Sequence, residues 1–278
     1  MTIPHDEELL EEFRQKGFSE KRDRREGFAW SLDFSSPYIA TAIHAGHNVS
    51  GSMLPFMNMT PARRLFEEDC ATDIMIHGLS NCVWGLESRA VYDLNRSPEL
   101  ALPLTPEKFW GATVYKEMPL PELNRRNISA YEEFYRFVGT CITFILEKFD
   151  FCIIYDIHSY NTIRQLEKRI FNPPIFNLGT ALVDRQKWTP QIDLWLELLS
   201  KIALPGMETT VAENHVFKGE GEFCRCLTGW DSRILVLPTE VSKIYMDEMD
   251  GRLYTDVVIA LQKGIGDAVK AHQAGLAF

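Results

Sequence analysis

Short apolar runs bounded by turn-forming residues punctuate the chain, at Tyr38 to Ile43, Phe151 to Ile157 and Ile234 to Leu237. Runs of this length, rich in Ile, Val and aromatics, read as buried strands. Between them, apolar residues recur at helical spacing. The clearest case is Ser129 to Phe149, where Tyr131, Phe134, Tyr135, Val138, Ile142, Ile145 and Leu146 mark one face. Ser129 and Glu132 stand there as a capping box. Amphipathic helices are also expected over 6–16, 190–202 and 253–272. Ser88 to Leu94 reads as a further strand, delivering Asn95 and Arg96 before the stop signal Ser97-Pro98. Residues 103–121 form a long irregular section, of a length at which loops often carry function. Strands alternating with helices predict an α/β layered fold with a mixed, largely parallel sheet.

Each of the three apolar runs ends in chemistry. The first leads into His44-Ala45-Gly46-His47, the second into His158-Ser159-Tyr160 and the third into Pro238-Thr239-Glu240. The carboxyl ends of strands are where open α/β sheets place ligands. Imidazoles on two such ends and a carboxylate on a third are what a hydrolytic zinc centre requires. His44 and His47, three apart in one loop, are expected to share the metal with His158. Asp156 is read as facing the opposite side of its strand and is not assigned as a ligand. Glu240 is the expected proton acceptor. Arg89, Asn95 and Arg96 bracket another expected strand end, where guanidinium and amide groups suit a carboxylate.

The chain has 278 residues, 45% of them hydrophobic, enough to bury a sizeable core. No Pro-rich or Gly/Ser tract divides it, so a single domain over 1–278 is expected, with residues 1–30 as an N-terminal helical extension. A formal net charge of -10 speaks against nucleic acid or an anionic membrane as partner. A small anionic substrate then needs locally placed arginines. The start of the chain lacks a basic, then apolar, leader pattern, and no apolar run approaches a membrane span. The six cysteines are scattered, as in a cytoplasmic protein with reduced thiols.

Several segments in order resemble one family. They are Ile43-His44-Ala45-Gly46, Asp69 with Asp73, Ser88 to Arg96, Asp156-Ile157-His158-Ser159, Asn177-Leu178-Gly179-Thr180, Phe217-Lys218-Gly219 and Glu240 to Glu248. Spread over about residues 38 to 250, they resemble the N-formylglutamate amidohydrolase family, which is related to the zinc carboxypeptidases and aspartoacylases. The resemblance implies a phosphorylase/hydrolase-like three-layer fold, a divalent metal, and hydrolysis of an N-acyl amide. By position, His44 and His158 match metal-binding histidines. His47 stands where the carboxypeptidase relatives have a ligating Glu, with Asp69 as the rival third ligand; His47 is preferred because it shares the loop of His44. Glu240 matches the catalytic Glu, Asn95 and Arg96 the pair that holds the substrate carboxylate, and Arg89 a polarising Arg. Ile43 replaces a usual Pro, Cys70 a usual Trp, and Glu220 interrupts a glycine pair.

The sequence reading is therefore a zinc-dependent amidohydrolase that cleaves an N-acyl amino acid, with N-formyl-L-glutamate as leading candidate and zinc or another divalent ion as cofactor. The alternatives are a carboxypeptidase-like or other N-acyl-amino-acid deacylase and, from another class, a metal-free binding module on the same scaffold. Neither nucleic acid nor membrane is expected as a partner.

Overall fold

The computed structural model describes residues 3–16, 20–25 and 27–276. The chain runs through α1 (Glu7–Lys16), β1 (Glu20–Arg25), β2 (Phe28–Leu32), β3 (Tyr38–Ala42), α2 (Pro61–Glu67), α3 (Thr72–Ile76) and β4 (Cys82–Gly85). It continues through α4 (Pro121–Phe149), β5 (Cys152–Tyr160), α5 (Thr162–Glu167), β6 (Phe176–Leu178) and α6 (Thr189–Ser200). β7 (Val211–Glu213), α7 (Glu222–Trp230), β8 (Ile234–Ser242) and α8 (Thr255–Gly275) complete it. One eight-stranded sheet in the order β1-β2-β4-β3-β5-β8-β6-β7 carries the fold. The four central strands β4, β3, β5 and β8 are mutually parallel, while β2 and β6 join them antiparallel. The expected mixed, largely parallel sheet is present.

Helices cover both faces. On one, Phe134 of α4 meets Phe28 of β2 edge-on and Phe223 of α7, and Phe137 lies 4.5 Å from Trp30. On the other, Tyr155 of β5 packs on Trp195 of α6 and bonds His272 of α8 through its hydroxyl at 2.6 Å. β3, β5 and β8 are buried almost throughout. Such strands read as continuous apolar runs because helices cover both their faces.

Four expectations need correction. Residues 1–30 do not form the expected helical extension: among the described residues of that stretch Glu7–Lys16 is the one helix, and β1 and β2 add two strands to the sheet edge. Residues 1, 2, 17–19 and 26 of that stretch lie outside the described residues. The buried run Phe28-Ala29-Trp30-Ser31-Leu32 is what makes β2 a strand. The long helix begins at Pro121 and not at Ser129, because Pro at the first helical position starts a helix without a capping side chain. Ser88 to Leu94 is a run of turns. Ala90 N binds Ser88 Oγ at 3.2 Å and Asn95 N binds Asp93 Oδ1 at 2.8 Å, so short polar side chains take amides that a sheet would otherwise use. Lastly, β5 and β8 run on to Tyr160 and Ser242, so His158 and Glu240 lie within their strands and not beyond them.

Candidate active site

Side chains alternate across a pleated strand. Asp156, His158 and Tyr160 of β5 thus share one face, and Pro238 and Glu240 of β8 share the same face beside them. All five line a cavity of about 340 Å³ at the carboxyl end of the central strands. His158 and Glu240 are register partners, as are Thr41 and Asp156. His44 enters two residues after β3 ends, buried to 2% exposure. Asp69 arrives from the connection between α2 and α3, where its amide bonds His44 O at 3.0 Å and Thr72 Oγ1 bonds its carbonyl at 2.7 Å.

His44, Asp69 and His158 converge, one ligand atom from each lying within 4.8 Å of the others. Asp69 Oδ2 is 3.0 Å from His158 Nδ1 and 3.3 Å from His44 Nδ1. Each imidazole is held from behind by a carboxylate: His158 Nε2 by Asp156 at 2.9 Å, and His44 Nε2 by Asp93 at 2.8 Å. Asp156 in turn accepts from Thr41 Oγ1 at 2.7 Å. The reading of Asp156 as turned away was wrong, since residues two apart on a strand face the same side. Asp93 also accepts from Arg89 Nε and Nη2, at 3.2 and 2.8 Å. Carboxylates behind the far nitrogens fix which nitrogen of each ring faces a metal. His44 Nδ1 is buried and has no hydrogen-bond partner among the described residues. Two imidazole nitrogens and one carboxylate oxygen, aimed at one point with outer carboxylates behind, are a donor set that fits zinc.

His47 does not join this group. Its Nδ1 bonds Glu68 at 2.5 Å, and Glu68 also accepts from Ser88 Oγ. His44 stands in a turn and residues 45–47 are irregular, after which Asn48 bridges Glu87 and the His47 ring is turned to Glu68. Gly46 permits that path, because a Cβ there would sit 2.4 Å from the carbonyl of Glu87.

Charge sets the electrostatics. Burial pushes the Asp69 carboxyl up, but His158 and His44 outweigh it and hold it well below the usual carboxylate range. Burial likewise opposes the charged form of His158, yet Asp156 and Asp69 raise it well above its ordinary value. Burial pushes Glu240 up to about 8, with the cation of His158 opposing. A divalent ion nearby would favour its ionised form further.

The remaining expected residues line the same cavity. Asn95 accepts from Phe223 N at 3.0 Å, so its Oδ1 anchors the first turn of α7, and a Cβ on Gly221 would strike that side chain. Tyr135 and Tyr131 of α4 hold the segment through the carbonyls of Leu94 and Arg96, at 2.6 and 2.9 Å. Arg96 has no ion-pair partner among the described residues, whereas Arg89 is held by Asp93 and Arg164 by Glu67. All three guanidinium groups face the ring of Trp110, at 5.3, 4.6 and 5.7 Å from its centroid. Trp110 stands in the irregular section at φ 49°, a left-handed conformation unusual for an aromatic, followed by Gly111 at φ 83°.

Sequence reading missed Asp93 and Asp156 as imidazole partners and assigned no role to Trp110 or Arg164. The Asp-x-His spacing within a strand was the available signal for Asp156. No local signal marks Trp110, whose partners come from two other segments, 89–96 and the helix α5.

The fold is also found in solved proteins. An N-formylglutamate amidohydrolase from Ralstonia eutropha superposes with a TM-score of 0.72 at 16% identity, covering 90% of this chain and 98% of that one. The gene product Atu2144 from Agrobacterium tumefaciens gives 0.51 at 15% identity, with 88% and 95% covered. Among curated proteins no sequence matches. No helix among the described residues is long and apolar enough to cross a membrane. The family model described as N-formylglutamate amidohydrolase matches residues 36–246, a span that holds every residue of the cavity described above. With three quarters of its length matched, the chain belongs to the N-formylglutamate amidohydrolase family, a family of hydrolases.

Proposed function

We propose that this protein is a zinc-dependent amidohydrolase that cleaves the amide of an N-acyl amino acid, with N-formyl-L-glutamate as leading candidate. The observation that carries the reading is the convergence of His44, Asp69 and His158 beside an unpaired Arg96 and a partly exposed Glu240. His44, Asp69 and His158 would hold the metal, in preference to a set containing His47. A zinc ion in such a site supplies Lewis acidity, polarising the acyl oxygen and lowering the pKa of bound water toward about 7.

The protein's own groups do the rest. Glu240 takes the proton of the attacking water and returns it to the leaving amine. Its carboxylate faces the cavity, one strand over from His158, without a hydrogen bond to another described residue. Arg89 stabilises the developing oxyanion. Asp93 fixes its Nε and Nη2, while Nη1 is held only loosely, 3.4 Å from Glu67 O and 4.0 Å from Asp69. Arg96 receives the carboxylate of the amino acid through its planar fork, with the Asn95 amide beside it.

Elemental analysis of the purified protein and a panel of N-acyl amino acids test this. About one zinc per chain and release of formate from N-formyl-L-glutamate are expected. Metal-free protein that binds the panel without turnover would instead establish a binding module. Preference for a longer acyl group would make it another deacylase of the same kind.

A further inference from the structure

Helix α2, whose end delivers Asp69, owes little to apolar packing. Its buried side chains are Arg64 and Glu67, while Leu65 and Phe66 are half-buried and stand outside the core cluster. The last carbonyls of a helix lack partners within it and depend on groups from elsewhere. Arg64 O accepts from the amide of Glu68, which leaves Leu65 O, Phe66 O and Glu67 O.

Side chains from three separate segments take them. Lys243 Nζ donates to Phe66 O at 2.8 Å and lies 3.4 Å from Leu65 O. Asn161 Nδ2 donates to the same Phe66 O at 2.8 Å, and Arg89 Nη1 lies 3.4 Å from Glu67 O. Lys243 and Asn161 are the residues just past β8 and β5, and the Lys243 amide bonds Tyr160 O at 3.0 Å. The strands that carry Glu240 and His158 thus meet at one carbonyl, three residues before Asp69. A single extended residue, Glu68, separates the end of α2 from Asp69.

Lys243 is 3% exposed. A buried ammonium ordinarily pairs with a carboxylate, because desolvating the charge otherwise costs stability. Here its bonds go to helix carbonyls, where a cation suits the negative end of the helix dipole. Burial lowers its pKa, and the Asp69 carboxylate is the foremost of the groups that oppose this.

We propose that Lys243, seconded by Asn161, is a positioning residue that sets Asp69 against the two imidazoles by fixing the end of α2. This rests on reading Asp69 as the third donor of the metal group. Because the tie runs through backbone carbonyls, the register of β5 and β8, which places Glu240 beside His158, also places Asp69. Donors held by their supports bind a metal more tightly than donors that must first be ordered.

The test uses the full chain with Lys243→Met, which keeps the length of the side chain and removes its donors, and Lys243→Arg, which supplies donors again. NMR of metal-free protein with isotope-labelled histidine reads the rings of His44 and His158, and chelator titration reads zinc affinity. Lys243→Met should shift both ring signals and lower zinc affinity by about 10- to 100-fold. At full zinc loading it should lower kcat and leave KM within about twofold. Lys243→Arg should recover most of each change. Asn161→Ala removes one neutral bond to the same carbonyl and should act in the same direction by about 2- to 10-fold, and it decides the matter if Lys243→Met does not fold. Val269→Ala, a core truncation in α8 outside the cavity, should lower the melting temperature yet leave ring signals and zinc affinity at wild-type values. Ring signals and zinc affinity unchanged in Lys243→Met and Asn161→Ala overturn the proposal, and so do changes of equal size in Val269→Ala. A rise in KM without loss of zinc affinity also overturns it, by making Lys243 a substrate contact. If the wild type takes up no zinc or hydrolyses nothing, the amidohydrolase reading falls and the ring signals still decide the role of Lys243. If the wild type is active and Lys243→Met matches it throughout, the role of Lys243 alone falls.

Discussion

Asp69→Asn separates the two ligand sets, because it keeps the shape of the side chain and removes only its charge. Asp69 Oδ2 makes one charge-assisted bond, to His158 Nδ1 at 3.0 Å, and a longer ion pair, to His44 Nδ1 at 3.3 Å. Both imidazoles retain a second carboxylate, Asp156 or Asp93, so neither is left as a bare buried cation. The loss in metal-free protein is then one strong bond and part of another, about 2–4 kcal/mol. For a chain of this size each kcal/mol moves the melting temperature by roughly 2–4 °C, so a fall of about 5–15 °C is expected. Zinc affinity should fall by well over 100-fold, beyond the 10- to 100-fold typical of losing an outer partner. His47→Gln, which touches the centre only through Glu68, should cost at most about 100-fold. Titration of zinc against a chelator, with calorimetric melts of the metal-free proteins, reads both. Wild-type zinc affinity in Asp69→Asn together with loss of zinc in His47→Gln would refute the assignment.

Glu240→Gln should lower kcat by about two to four orders of magnitude with zinc content unchanged, and near-normal turnover would remove Glu240 as the base. Arg96→Ala should mainly raise KM, and Arg96→Lys should not restore it, because a point charge does not reproduce a planar fork; equal activity on an acylated amine without a carboxylate would show the clamp to be elsewhere. Trp110→Ala should raise KM in the same direction, with Trp110→Phe recovering part of it, since guanidinium groups use the ring face; an effect confined to kcat would contradict that role. Stability should also respond to pH through His272, away from the cavity, where burial lowers the pKa from 6.5 to about 4. Between those values the unfolded chain binds the extra proton and the folded chain does not, so this contribution is present above 6.5 and lost as pH falls toward 4, by about 3 kcal/mol. Melts at both pH values should show a smaller drop for His272→Gln than for the wild type, and an equal drop would refute it.

Much of the site was legible because its residues sit on buried strands. Apolar runs announced β3, β5 and β8, and His44, His158 and Glu240 follow or end those runs. Parallel strands of one sheet bring such positions together whatever the intervening sequence. Asn95 and Arg96 were legible as a pair, though not their setting: Ser88 to Asp93 looks apolar enough for a strand, but its short polar side chains close turns on their own backbone. The third member of the cluster was not legible from spacing. His47 is nearer to His44 along the chain, yet its ring is bonded to Glu68 and Asp69 fills the place beside His44.

The sequence by itself determined the α/β class, the parallel centre of the sheet, the end of it that carries chemistry, and the family, since periodicity and motif order are local properties. Only the tertiary structure decided which carboxylate completes the cluster of His44 and His158, which acids stand behind the imidazoles, and which cations remain unpaired. Apart from Asp156 behind His158, which the alternation of one strand supplies, these depend on groups from distant segments meeting at hydrogen-bond distance. Asp69 reaches the site through a backbone bond to His44, and Trp110 gathers three arginines from two distant segments. Such meetings are set by how helices and loops close over the sheet, and no stretch of sequence contains both partners.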